Sequence, residues 1–171
     1  MDAITIGTTV ASLVATFTKG AQTCNALLSK YTHAPQTLAS IHTECTTIKL
    51  ALSHVYWLVN SNTELLSSQL DARGPLAETF DVALTGCTVT FSLLDVELQK
   101  LCQQSKEKDT YKAKEKMKFV WNEDLARSLL DNMRGLQGAV TLLLTALQTY
   151  VLLTYGAVIA RLMKQGAPWL R

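Results

Sequence analysis

The sequence predicts an all-α protein: an antiparallel bundle of four long helices, with one possible short extra helix. Three observations carry that prediction. Apolar residues recur at alternating spacings of three and four along four separate stretches, which is the helical period. Only three prolines and eight glycines interrupt the 171 residues. The length suits one domain, and 48% apolar against 18% charged residues is apolar-rich and charge-poor for a soluble one.

The first helix is expected from Asp2 to about Tyr31. Ile6, Val10, Leu13, Phe17, Ala21, Cys24, Leu28 and Tyr31 form its apolar row, and Asp2 suits a helix N-terminus. No charge appears from Ala3 to Thr18; Thr5, Thr8, Thr9, Ser12 and Thr16 supply weakly polar faces instead. Gly7, Ala11 and Ala15 make a small-residue row that permits close approach of another helix. Two readings follow: a helix buried in the bundle, or one that can also leave it and enter a membrane. Ala3–Thr18 as a helix covers only ~24 Å against a hydrocarbon core of ~30 Å, so insertion would be shallow or assisted.

His33-Ala34-Pro35 breaks the pattern, since proline disfavours helix at the residue before it. A second helix is expected from Gln36 to about Val59, with Leu38, Ile41, Cys45, Ile48, Leu52, Val55 and Val59 as a heptad seam. Thr63–Arg73 holds Leu65, Leu66 and Leu70 and is the candidate for the short extra helix. Pro75 stands near the start of the third long helix, a position proline tolerates. That helix runs from about Leu76 to Gln104. Its seam of Phe80, Leu84, Cys87, Phe91, Leu94, Leu98 and Leu101 is the cleanest heptad in the chain, and Val89 and Val96 are expected to widen it. Gly86, within it, implies close approach of another helix, because a glycine there costs about 1 kcal/mol against alanine.

Ser105–Lys118 is the one charge-dense stretch, with Lys106, Lys108, Lys112, Lys114, Lys116 and Lys118 interleaved with Glu107, Asp109 and Glu115. It reads as a solvated extension, or as a weak attraction to an anionic leaflet at about 1 kcal/mol per nearby cation. Phe119-Val120-Trp121 is an apolar anchor, and Asn122 is placed to cap the last helix, with Glu123 and Asp124 at its positive end. That helix continues through Leu125, Leu129, Met133, Leu136, Val140 and Leu143 to about Lys164. From Gly135 to Ala160 it has no charge, a length of roughly 39 Å as helix, enough to span a bilayer. Gln137, Thr141, Thr145 and Gln148 fall on one face, which favours a helix packed on its other side.

Cys24, Cys45, Cys87 and Cys102 form no C-x-x-C pair and read as small core residues in a reducing compartment. Asp2, with no basic residue before the apolar run, gives no signal-peptide n-region, so the expected location is intracellular. There is no phosphate-cradling glycine loop, H-E-x-x-H helix or nucleophile elbow. His33, His42 and His54 lack ligand spacing, and His42 and His54 read as surface or seam residues. The expectation is a protein without enzymatic activity, cofactor or metal. A net charge of +2 and a lysine run broken by acids argue against nucleic acid as a partner.

Three pieces of the chain together carry a resemblance. They are the uncharged N-terminal helix ending in TFTKGAQTCNAL, the stretch Leu84–Asp95 (LTGCTVTFSLLD), and Phe119–Asp124 (FVWNED) leading into a leucine-rich helix. This resembles the HeLo-like domain found at the N-terminus of fungal STAND (NLR-like) receptors and of related cell-death effectors. The resemblance covers most of the chain and implies a single domain, residues 1–171, forming the N-terminal part of a longer protein. It implies a pore-forming executioner of regulated cell death that is cytoplasmic at rest and moves to the cell membrane on activation. Its partners would be membrane lipids, further copies of itself, and a receptor or amyloid signalling module beyond this chain. The membrane-active helix of the family maps onto Ile4, Ile6, Val10, Leu13, Val14 and Phe17. The six lysines of the charged stretch are the candidate headgroup contacts. A plain helical interaction module without membrane activity is the alternative.

Overall fold

The computed structural model describes residues 3–30, 36–70, 75–106 and 122–164, and these form five helices. We number them α1 (Ala3–Lys30), α2 (Gln36–Ser61), α3 (Thr63–Leu70), α4 (Pro75–Lys106) and α5 (Glu123–Lys164). The short extra helix is thus present as α3, which anchors itself through the fully buried Leu66. The expected breaks at His33–Pro35 and Arg73-Gly74, and the Phe119–Trp121 anchor, lie outside the described residues.

Local chemistry explains the ends that are described. Asn122 Oδ1 accepts the Leu125 amide at 3.1 Å, satisfying one of the orphan donors at the start of α5, and Glu123 and Asp124 occupy the first turn. Pro75 is the first residue of α4. Between α2 and α3 the chain bends at Asn62, which is buried. Its amide donates to the Leu58 carbonyl at 3.2 Å, and its own carbonyl accepts from the Leu66 amide at 2.9 Å.

The seams expected in α2 and α4 are buried at every position, and one core unites residues of all five helices. α1 packs on α2 and α4, and α5 closes the other side against the same two. The directions follow from side-chain neighbours. Gly7 lies beside Asn60 and Gly20 beside Cys45, so α1 and α2 run in opposite directions. Glu44 pairs with Arg134 at 3.5 Å, and Asn62 bonds to Tyr155 at 3.1 Å, so α2 and α5 run the same way. The four long helices are therefore not antiparallel at every shared face.

At the centre Phe17 of α1 meets Phe91 of α4 edge to face, with ring centroids 5.2 Å apart. Lys19 and Asp95 add an ion pair at 3.7 Å across the same two helices, largely in solvent. Gly86 does mark a close approach: a Cβ there would sit 3.0 Å from Leu136 Cδ2 of α5. Several single assignments shift. Leu27 is buried in α1 where Leu28 is only partly so, and in α5 Ala126 and Leu130 face inward while Leu125 is exposed. A straight helix repeats every 3.6 residues, so an apolar row drawn at 3.5 drifts off the buried face towards its ends. Val89 and Val96 do not widen the α4 seam; both point to solvent.

α5 is held to the α2–α3 joint by Tyr155, whose hydroxyl donates to Asn62 Oδ1, while Asn62 Nδ2 donates to the Leu58 carbonyl at 3.0 Å. Tyr155→Phe removes that bond and nothing else. It should lower unfolding stability by about 0.5–1 kcal/mol in urea titrations followed by circular dichroism.

Candidate membrane-contact surfaces

The membrane-active residues expected in α1 divide by face. Ile6, Val10, Leu13 and Phe17 lie in the core, Val14 packs partly against it, and Ile4 is exposed. The outer face of α1 carries Thr5, Thr8, Ser12 and Ala15 in place of charges. Its hydroxyls fold back on the helix: Thr8 and Thr9 each donate to the Thr5 carbonyl at 2.9 Å, and Thr16 to Ser12 at 2.7 Å. Such bonds remove the donor that a hydroxyl would otherwise present to an apolar medium. The small-residue row is used only at its start, where Gly7 is buried near Asn60; Ala15 faces solvent.

Of the candidate headgroup lysines, Lys106 ends α4, and Lys108, Lys112, Lys114, Lys116 and Lys118 lie outside the described residues.

Two helices among the described residues are long and apolar enough to cross a membrane, and α1 is not one of them. The first is α4, with 39% of its apolar window buried, as expected of a core helix. The second is α5, where the buried share is 17%. One cause is facing, since Leu142, Leu152 and Leu153 point away from the bundle at 70–73% exposure, and the other is length. At about 1.5 Å per residue, the 28 residues of α1 reach roughly 42 Å and the 42 of α5 roughly 63 Å. Its last buried residue is Val151. Beyond it Leu152, Leu153, Val158, Ile159, Leu162 and Met163 are all exposed, Leu152 at 72% and Leu153 at 70%. Sequence reasoning identified the uncharged run but not that the bundle stops short of its end. Nothing in one helix's pattern states how long its neighbours are.

Within the bundle the outer face of α5 is the expected polar stripe. Thr141, Thr145 and Gln148 are exposed and Gln137 is half-buried. Thr141, Thr145 and Thr149 donate to the carbonyls of Gln137, Thr141 and Thr145 at 2.8–2.9 Å. A second exposed apolar row runs along α4, through Val82, Val89, Leu93 and Val96.

An open groove of about 190 Å³ lies between α1 and α2, lined by Thr18, Gln22, Asn25, His42, Thr46 and Lys49. It brings together one imidazole and one ammonium with no carboxylate. Among the described residues no three His, Cys, Asp or Glu side chains converge as a metal site. The thiols of Cys24, Cys45 and Cys87 are buried. A hydrogen bond with Cys24, then burial, pushes the Cys45 thiol far up, and burial pushes Cys87 up to about 11. Both therefore stay protonated and unreactive near neutral pH.

No protein-family model, curated protein or solved structure matches this chain.

Proposed function

We propose that this chain is a membrane-permeabilising effector domain of regulated cell death, in which α1 leaves the bundle and copies assemble on the bilayer. The observation that carries this reading is the make-up of α1. Its inner face is fully apolar, its outer face has no charge from Ile4 to Thr18, and its hydroxyls bond within the helix. A helix with only a solvent role on its outer face uses lysine and glutamate there. The resemblance to HeLo-like domains points the same way.

Energetics restrict how it acts. Ile6, Val10, Leu13, Phe17 and Leu27 are buried, at about 1.5–3 kcal/mol each, or roughly 8–15 kcal/mol gross. That matches the whole stability of a typical domain, ~5–15 kcal/mol. In water α1 stays in place, and only lipid or neighbouring copies can re-bury what its release exposes.

Removing residues 1–18 is a poor test, because it deletes four core side chains and the fold with them. A lock is better. Gly7→Cys with Asn60→Cys places thiols where the two helices already touch, since a Cβ at position 7 lies 3.3 Å from Asn60 Oδ1. Oxidised, this variant should release no dye from anionic vesicles; reduced, it should leak like the parent. Full leakage from the oxidised form removes α1 release from the mechanism.

One observation favours a second reading, a helical interaction module. Val82, Val89, Leu93 and Val96 follow each other at seven, four and three residues, the spacing of a coiled-coil seam on an outer face. In that case the chain self-associates in lipid-free buffer, and Val89→Glu returns it to monomer in sedimentation velocity runs.

A further inference from the structure

We propose that the projecting end of α5, Leu152–Lys164, is the element that first docks the closed bundle on a bilayer with anionic headgroups. This deepens the membrane reading above and rests on it. It assigns docking to a different helix from the one released.

Four observations carry it. First, the exposed end is apolar on every side that the Tyr155–Asn62 contact leaves free. From Leu152 to Ala160, successive residues cover every side of the helix, and Thr154 is the one aliphatic hydroxyl among them. That hydroxyl donates to the Tyr150 carbonyl at 2.9 Å. A docking face for a partner helix leaves its opposite side polar; a helix end apolar on every free side matches a medium that surrounds it.

Second, charge sits only at the far end. Arg161 and Lys164 are both exposed and three residues apart, hence on one side of the helix. Cations beyond an apolar segment suit the headgroup level of an anionic leaflet.

Third, the balance of charge is one-sided. After Asp131 the chain contains Arg134, Arg161, Lys164 and Arg171 and no Asp or Glu. Along α5 past Asp131 an acidic leaflet meets no repulsion, whereas a second copy of the same helix end meets like charge.

Fourth, area excludes pairing of two projections as a stable dimer. The projection is about 20 Å long and about 10 Å across, a lateral surface of roughly 600 Å². A single partner helix covers at most about half, so two projections bury roughly 600 Å² in total. Specific interfaces need about 1,200 Å² or more. Lipid covers every side that the bundle leaves free.

α1 need not move for this to happen. Docking therefore precedes release and holds the closed bundle beside the lipid that re-buries α1.

The test is co-sedimentation of the full chain with vesicles of phosphatidylcholine alone and of phosphatidylcholine with phosphatidylserine. Leu153→Glu with Ile159→Glu changes exposed side chains only and should cut binding to both by more than tenfold. Arg161→Glu with Lys164→Glu should cut binding to the anionic vesicles by at least about fivefold per cation and abolish their advantage over neutral ones. Val89→Glu on α4 should bind as the parent does, and so should the oxidised Gly7→Cys, Asn60→Cys lock. Equal loss with Val89→Glu overturns the assignment to α5, and so does binding that survives both α5 variants while the parent binds. A parent that dimerises through this end, with α5 variants monomeric yet still lipid-bound, assigns the surface to a second copy instead. A parent that sediments with neither vesicle sinks the membrane reading itself.

Discussion

Phe17→Ala is expected to destabilise the fold by about 3–5 kcal/mol, enough to leave a marginal domain partly unfolded at room temperature. Phe17 is fully buried and is among the largest side chains in the core. Its ring stands against Phe91 at an interplanar angle of 66°. Removing it takes away transfer free energy and leaves a cavity beside Phe91 that the surrounding helices close only in part. The measurement is a urea midpoint at fixed slope. A double-mutant cycle with Phe91→Ala should return a coupling of about 0.5–1.5 kcal/mol, beyond what area alone supplies. A loss under 1 kcal/mol from Phe17→Ala would mean that α1 is not committed to the core at rest. The same variant separates two roles of α1. Loosening the helix in water should raise leakage at low protein concentration even as stability falls. The oxidised lock moves leakage the other way without removing a core atom.

The sequence made some of this architecture plain and hid the rest for physical reasons. The seams of α2 and α4 were legible because each is a closed heptad, buried along its whole length against neighbours on both sides. The cap at Asn122 and the start of α4 at Pro75 were legible because they are local chemistry. Pairing was not. Which helix lies beside which, and in which direction, depends on contacts such as Glu44 with Arg134, and no period within one helix encodes them. Exposure along α5 was hidden for the same reason. Leu147 and Val158, eleven residues apart, fall on one face, yet the first is buried and the second stands 44% in solvent, because α2 and α4 cover only part of α5. Val89 and Val96 misled in the opposite sense: an apolar residue beside a seam is not thereby part of it.

Gly20 shows the limit most sharply, and it yields the second large effect. Read as sequence, Gly20→Ala in the middle of α1 should stabilise by roughly 1 kcal/mol, because alanine favours helix and restricts the unfolded chain. The structure reverses the sign. A Cβ at position 20 would lie 2.7 Å from Phe91 Cε2 and 3.3 Å from Cζ, with Cys45 Sγ at 3.6 Å behind it. Phe91 cannot swing away, because Phe17 holds its ring and the residue is almost fully buried. Relief has to come from separating α1 and α4, which costs packing along both. The expected net loss is about 2 kcal/mol, with larger residues worse. Two other glycines serve as internal standards. At Gly86 the near atom is the tip of a leucine, which can rotate, so Gly86→Ala should be close to neutral. At Gly156 no atom lies within 4 Å, and Gly156→Ala should gain about 0.5–1 kcal/mol. The ordering of the three variants, measured in one denaturant series, is the readout. It tests where α1 touches its neighbours without relying on any assumption about membranes. If Gly20→Ala proved as stable as Gly156→Ala, the α1–α4 contact at Phe91 would have to be looser than drawn. The energetic barrier to α1 release would then fall with it.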